Sequence, residues 1–336
     1  MLIPRINGLI IKIYNLLIGL RFINLNNKIC RRIRSVLFHN ICYGCYASFG
    51  KENPERKFYL IRCSQAEMGL FAVINYVIFH LDYADKEGLE PVVDWQYYPN
   101  KYFSDDNKVG KKNPWEDLFY QTTKIELAEL YRSKNVYMSS GSWEIPYDEI
   151  YDEDRLNHSH QIWIKYLKLS DKTKELFDEE YKRMNFNNNR ILGVKCRGTD
   201  FVLTKPSGHQ IVPTVDMTIQ TIEEKISEWG EFDKIFISTE DEYILSQMKE
   251  YFQEKLVFVN ARRLSLKQNE WLCEMYDRFG DEDTTKEIDM RNYLVETYLL
   301  ASCDSLIAPE IGGTIGAMRI SEKFSNIFIF KLGHYE

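Results

Sequence analysis

Hydrophobic and polar positions change period several times along the chain. "KFYLIRC" (57–63) is a short apolar run closed by a turn, "SQAEMG" (64–69), which predicts a buried strand. "LFAVINYVIFHLDYA" (70–84) is apolar on nearly every face and predicts a helix buried all round. Gly88 ends that helix, and "EPVVDW" (90–95) predicts a second strand. Strand, turn, helix and strand make the repeating unit of a parallel sheet. Residues 96–115 are polar and predict a loop, "NVYMSS" (135–140) a further strand, and 154–184 a charged helical stretch.

Beyond "FNNNR" (186–190), read as a turn and domain boundary, the alternation is more regular. Strands are predicted at "ILGVKCR" (191–197), "KIFIST" (234–239), "LVFVN" (256–260), "DSLIAP" (304–309) and "NIFIF" (326–330). Helices are predicted at 215–229, 242–254, 287–303 and 314–321. This pattern predicts an α/β fold of two Rossmann-like domains with parallel sheets facing a central cleft. The expected divisions are 1–50, an apolar arm; 51–188, a first domain; and 189–336, a second.

Charge refines that division. Residues 1–50 hold seven basic residues and no acidic one, whereas the rest of the chain holds 36 basic and 50 acidic. An acidic body argues against a nucleic-acid partner. A basic, apolar arm points to peripheral contact of residues 1–40 with an anionic membrane surface, the alternative being a helix pair packed on the body. Only eight uncharged residues separate Lys12 from Arg21, against about 20 for a bilayer span. The arm shows no signal-peptide cleavage pattern. Seven scattered cysteines then suggest free thiols and a cytoplasmic location, at the inner membrane face if the arm attaches. The lone pair Cys42–Cys45 falls short of a zinc site.

The chemistry collects at strand ends. "GVKCRGTDF" (193–201) runs a core strand, with Lys195 intruding, into Arg197, Gly198, Thr199 and Asp200. Thr239, Glu240 and Asp241 follow the second strand, Arg262 and Arg263 the third, and "EIGGT" (310–314) the fourth. If the strands are parallel, all lie on one edge, where α/β sheets bind ligands. Arg197 offers a planar fork of donors to phosphate, and Gly198 allows close backbone approach. Gly312, Gly313 and Thr314 open a helix whose first amides suit an anion. Each also has a plainer explanation: Arg197 pairing with Asp200, the glycines serving tight turns. Neither GxxxxGK[ST] nor GxGxxG follows a strand, which argues against an ATPase and a nicotinamide enzyme. Asp152–Asp154 and Asp281–Asp283 sit in charge-rich turns, so no metal is expected.

These residues resemble the donor-binding domain of the α-1,6-fucosyltransferase and protein O-fucosyltransferase superfamily. "GVKCRGTDF", "IFISTEDEYIL" (235–245) and "YLVETYLLASCDSLIAPEIGGTIGAMRI" (293–320) are similar to its motifs in order and spacing, over about residues 190–330. The first half matches only in general plan, with Gly69 at the acceptor-side turn. The resemblance implies a GT-B fold and an inverting, metal-independent glycosyltransferase, with a nucleotide sugar, GDP-linked, as co-substrate and no cofactor. It implies that Arg197 holds the β-phosphate and that Lys195 stands where a base-contacting histidine is common. Glu296 would grip guanine, and Gly312–Thr314 would lie along the diphosphate. A solvated stripe with Asp289 and Asn292 is the alternative for Glu296. The acceptor expected from the basic arm is a lipid-linked bacterial surface glycan, as in capsule or lipopolysaccharide assembly.

Two departures matter. Gly198 replaces the second of two arginines, and the position of a proposed glutamate base falls near Lys205. His209, in "KPSGHQ", is a candidate base because an ordinary imidazole titrates near neutrality; Asp200 is the other, or an orienting partner for Arg197. The chain also ends soon after "NIFIF", short of the returning C-terminal helix of many GT-B enzymes. A UDP- or CMP-sugar enzyme on the same fold and a non-catalytic binding protein remain the rivals.

Overall fold

The computed structural model describes residues 45–62, 69–96, 112–139, 145–265, 283–322 and 324–336. The expected membrane arm, the turn 64–68 and Asp281 lie outside these residues. Among the described residues no helix is long and apolar enough to cross a membrane.

The chain divides into two compact units, 1–145 with 161–170, and 146–160 with 171–336. This differs from an expected boundary near 188. The reason is packing: the helical stretch after 170 is built into the second unit, where Phe177 meets Tyr298 edge-on at 6.0 Å.

The first unit holds strands β1 (Cys45–Ala47), β2 (Phe58–Ile61), β3 (Glu90–Val93) and β4 (Val136–Met138), and helices α1 (Leu70–Lys86), α2 (Trp115–Leu118) and α3 (Leu127–Leu130). The sheet order is β1-β4-β2-β3. β2 runs parallel to β3 and β4, and β1 runs antiparallel to β4, so the sheet is mixed at one edge. Helix α1 is buried along most of its length, as its unbroken apolar run demands, and it carries Asn75 and His80 inside. The hydroxyl of Tyr59 lies 2.8 Å from His80 Nδ1. Gly69 is the N-cap of α1 at φ −66°, an extended conformation open to any residue.

The second unit contains β5 (Ile191–Lys195), β6 (Lys234–Ser238), β7 (Leu256–Val257), β8 (Ser305–Pro309) and β9 (Asn326–Phe330). Its helices are α4 (Glu153–Tyr166, which begins here and runs on into residues of the first unit), α5 (Asp171–Arg183), α6 (Asp200–Thr204), α7 (Val215–Trp229), α8 (Glu242–Phe252), α9 (Asp283–Ala301) and α10 (Gly312–Ile320). The sheet order is β7-β6-β5-β8-β9, with every pairing parallel. The chain therefore winds one way from β5 to β7 and the other way from β8 to β9. Such a reversal opens a crevice at the carboxyl ends of the two central strands, here β5 and β8. All five residues of β5 and of β8 are buried. Leu192, Val194, Ile235 and Ile237 form one core with Ile244, Leu245 and Met248 of α8.

Candidate active site

At the carboxyl end of β5 the backbone makes a tight excursion. Thr199 takes φ 50°, ψ −124°, a strained setting for a residue with a branched side chain. Two carboxylates from the end of β6 secure it. Glu240 accepts from the amide of Gly198 at 2.9 Å and the hydroxyl of Thr199 at 3.1 Å. Asp241 accepts from the amide of Thr199 at 2.9 Å and caps α8 through the Ile244 amide at 3.0 Å. The close approach belongs to Asp241: a Cβ on Gly198 would stand 2.3 Å from its Oδ2. The glycine expected to admit a ligand thus admits a neighbouring side chain.

Arg197 is held from two sides. Its Nη2 donates to Asp200 Oδ1 at 2.6 Å, and its Nη1 lies 3.3 Å from Glu240 Oε1. Its guanidinium covers the ring of Phe201 at 5.0 Å. The side chain retains 17% exposure. Asp200 Oδ1 also takes the Phe201 amide at 3.0 Å, so this carboxylate is an orienting group by its contacts. Burial alone would raise the Glu240 carboxyl, but Arg197, Lys195 and the Gly198 amide hold it below its ordinary range.

One layer deeper is a closed polar network. The Lys195 ammonium donates to Ser238 Oγ at 3.1 Å and lies 4.8 Å from the ring centre of Tyr293. Ser238 in turn donates to Glu296 Oε2 at 3.0 Å, while Arg263 Nη1 donates to Glu296 Oε1 at 2.7 Å. Lys195 and Glu296 are each 3% exposed. Burial lowers the Lys195 pKa and raises that of Glu296, with opposite charges pulling both back.

The neighbouring strand supplies the other half. β8 ends at Pro309, and α10 begins with Gly312 and Gly313, the second of them in contact with this network. A Cβ at Gly313 would stand 2.5 Å from the Tyr293 hydroxyl and 3.5 Å from Lys195 Cε. The opening amides of a helix have no partner within it, and α10 has no acidic residue in its first turn. Tyr293 ties the halves together. It lies against Gly313, and Arg197, Glu240 and Glu296 all act on its phenol, which burial raises beyond its ordinary value.

The residues expected on the donor side therefore meet at one sheet edge, with Gly69 apart from them in the first unit, but four of them are taken up by protein partners. Thr239 is fully buried, and its hydroxyl accepts from the Asp241 amide at 3.2 Å. Asp241 is a helix cap. Thr314 donates to the Pro309 carbonyl at 2.7 Å. Glu296 is not part of a solvated stripe: it is buried, and both its oxygens have protein partners. The cause is common to all four: parallel strand ends leave backbone groups and buried cations that side chains must satisfy. Exposed His209 stands edge-on to Phe201, ring centres 5.3 Å apart, one aromatic layer from Arg197. Ser238 and Tyr293 were missed; Tyr293 precedes Glu296 by three helical positions, a spacing that signals a shared face.

No protein-family model matches the sequence. No curated protein matches it either. Solved structures do. The NodZ α-1,6-fucosyltransferase soaked with GDP-fucose superposes with a TM-score of 0.51, at 15% identity, over 82% of this chain and 96% of that one. Fucosyltransferase NodZ from Bradyrhizobium gives 0.51 at 14% identity, over 83% and 97%. The chain has the GT-B fold of these enzymes. In GT-B terms the crevice between β5 and β8 lies in the second Rossmann-like unit, and its rim carries Arg197 and the start of α10. Among the described residues no three His, Cys, Asp or Glu side chains group as metal ligands.

Proposed function

We propose that this protein is a glycosyltransferase that moves a sugar, fucose or a related hexose, from a GDP-linked nucleotide to a glycan hydroxyl. One observation carries the proposal. Arg197 and the amino end of α10 leave adjacent parallel strands at the point where the winding reverses, with Tyr293 reaching from the field of one to the surface of the other. A fixed cation beside a helix start is an anion site, and one strand spacing, about 4.8 Å, suits a diphosphate. The fold is that of NodZ enzymes, one of which was soaked with GDP-fucose.

In this proposal the acceptor oxygen attacks the anomeric carbon from the face opposite the diphosphate. The carbon–oxygen bond to phosphate breaks, its electron pair stays on the phosphate, and the configuration inverts. Arg197, Gly312 and Gly313 stabilise the charge that develops on the leaving oxygen. Asp200 and Glu240 keep the guanidinium aimed. His209, outside the pocket wall and open to water, takes the proton of the acceptor hydroxyl. The contacts of Asp200 with Arg197, Thr199 and the Phe201 amide favour His209 over it. The acceptor is a lipid-linked precursor of a bacterial surface glycan, brought to the enzyme where the basic arm meets the inner membrane face.

The closure of Glu296 favours a second reading, the same chemistry on a UDP- or CMP-sugar. Titration of the full chain with GDP, UDP, CMP and ADP separates the two, because a nucleotide that binds the folded state raises its melting temperature in proportion to affinity and concentration. A rise with GDP alone is expected. A rise with UDP or CMP instead moves the assignment to those donors, and a flat response to all four removes the transferase proposal.

A further inference from the structure

Part of the second unit comes from the first half of the sequence. Residues 146–160 belong to it, and they begin with a single 3₁₀ turn, Tyr147–Tyr151. That turn is fixed at two points. Glu149, 4% exposed, forms a two-pronged ion pair with Arg319 of α10, itself 2% exposed, with Nε to Oε1 at 2.7 Å. Tyr151 donates its hydroxyl proton to Glu310, the residue that follows β8, at 2.5 Å. Lys331 covers the Tyr151 ring at 3.6 Å, and His160 Nδ1 meets the Arg319 carbonyl at 2.7 Å. A buried, doubly bonded guanidinium–carboxylate pair fixes orientation as well as position. The turn therefore lies across the exit of β8 and the body of α10, the strand–helix pair that forms one wall of the crevice.

Tyr147 opens this turn. It is half-buried. The charges that act on its phenol are those of Arg197 and Glu310, and Glu310 is the residue to which the neighbouring Tyr151 is bonded. Burial pushes the phenol up to about 12 although Arg197 opposes the shift, so the group keeps its proton at neutral pH. A neutral O–H beside the phosphate-binding cation is a hydrogen-bond donor that brings no competing charge.

We propose that Tyr147 is a ligand of the donor diphosphate, its hydroxyl donating to an oxygen of the terminal phosphate that Arg197 holds. This rests on the donor site proposed above and adds a third contributor to it, delivered by a segment remote in sequence. The Glu149–Arg319 pair is the positioning device that brings it there.

The test compares GDP with GMP, which lacks the terminal phosphate, by calorimetric titration of the full chain and of Tyr147→Phe. The phenylalanine keeps the ring and its packing, and an unchanged melting temperature verifies that. The expected result is a loss of about tenfold or more in GDP affinity, the scale of one hydrogen bond to a charged group, with GMP affinity changed less than about twofold. Glu149→Gln, which loosens the turn without touching the ligand, shifts GDP affinity in the same direction by a smaller factor. Equal losses for GDP and GMP, or no loss for either, overturn the assignment of Tyr147 while the donor site stands. A native chain that binds no GDP overturns both.

Discussion

In the first unit Arg62 follows β2 and lies 3.5 Å from Asp94, which follows β3. In the second, Arg197 follows β5 and faces Asp200 and Glu240. The residue types match, and so does their place at the carboxyl ends of parallel strands. Their surroundings do not. Arg62 and Asp94 are 2% and 0% exposed, with the Tyr131 hydroxyl bonded to both and its pKa pushed well up by burial. Ser139, after β4, closes the same edge by accepting from the Arg62 amide at 2.8 Å. Arg197 and Glu240 keep 17% and 18% of their side-chain exposure, and the next strand ends in two glycines and a helix start rather than a third polar plug. An arginine at a strand end is thus a structural bolt where its charge is fully spent and sealed. The proposed ligand site is the edge where a helix start and a remnant of exposure accompany it.

That contrast can be broken by exchange of roles. Arg62→Ala strands Asp94 in a dry interior and is expected to cost about 3–5 kcal/mol of stability, read as a large fall in urea midpoint. A midpoint within error of the native value would mean that the first edge is a site and not a bolt. Arg197→Ala is expected to lower the urea midpoint less than Arg62→Ala does, since the Arg197 side chain keeps 17% exposure, while transfer falls about 10²–10³-fold, the scale of one transition-state contact. Unfolding without a change in rate per folded molecule would reverse the two assignments.

A smaller effect separates the units by pH. Burial holds His80 in the first unit at a pKa of about 3, against about 6.5 unfolded. Above pH 6.5 neither state binds the proton. Below it the unfolded chain does and the folded chain does not, so stability falls as pH drops from 6.5 towards 3. From pH 7.5 to 5 the loss from this group is about 2 kcal/mol, and His80→Gln should remove that part of the slope. A slope unaltered by the substitution would place the acid sensitivity elsewhere.

The smallest effect concerns Glu296. Glu296→Gln keeps an acceptor for Ser238 but removes the countercharge of Arg263, and about 1–2 kcal/mol of stability should go with it. GDP affinity should change by less than about threefold. A sharp loss of GDP affinity at native stability would restore the role of purine reader.

The sequence was most legible where burial is continuous. The core positions of β5 place the strand, which ends at Lys195, two residues short of the predicted end, and α7 is found at 215–229 as predicted because its stripe is regular. Legibility ended where side chains meet partners distant in sequence. The acid on α9 could be assigned to a helix face, but nothing in its own segment tells that Arg263 and Ser238 take up its oxygens. Gly198 announces a close approach without naming Asp241 as the visitor. Residues 146–160 read as the tail of the first domain because they follow it in sequence; the Glu149–Arg319 pair that assigns them to the second spans 170 positions. β1 is three residues of an antiparallel edge strand, too short to carry a period.

The central claim is that Arg197 and the opening amides of α10 grip one diphosphate. A crystal structure of the full chain soaked with GDP tests it most directly. The account predicts a phosphate oxygen within hydrogen-bond distance of the Arg197 guanidinium and another within that distance of the Gly312 or Gly313 amide. A nucleotide that touches only one of these, or that settles away from the ends of β5 and β8, would contradict it.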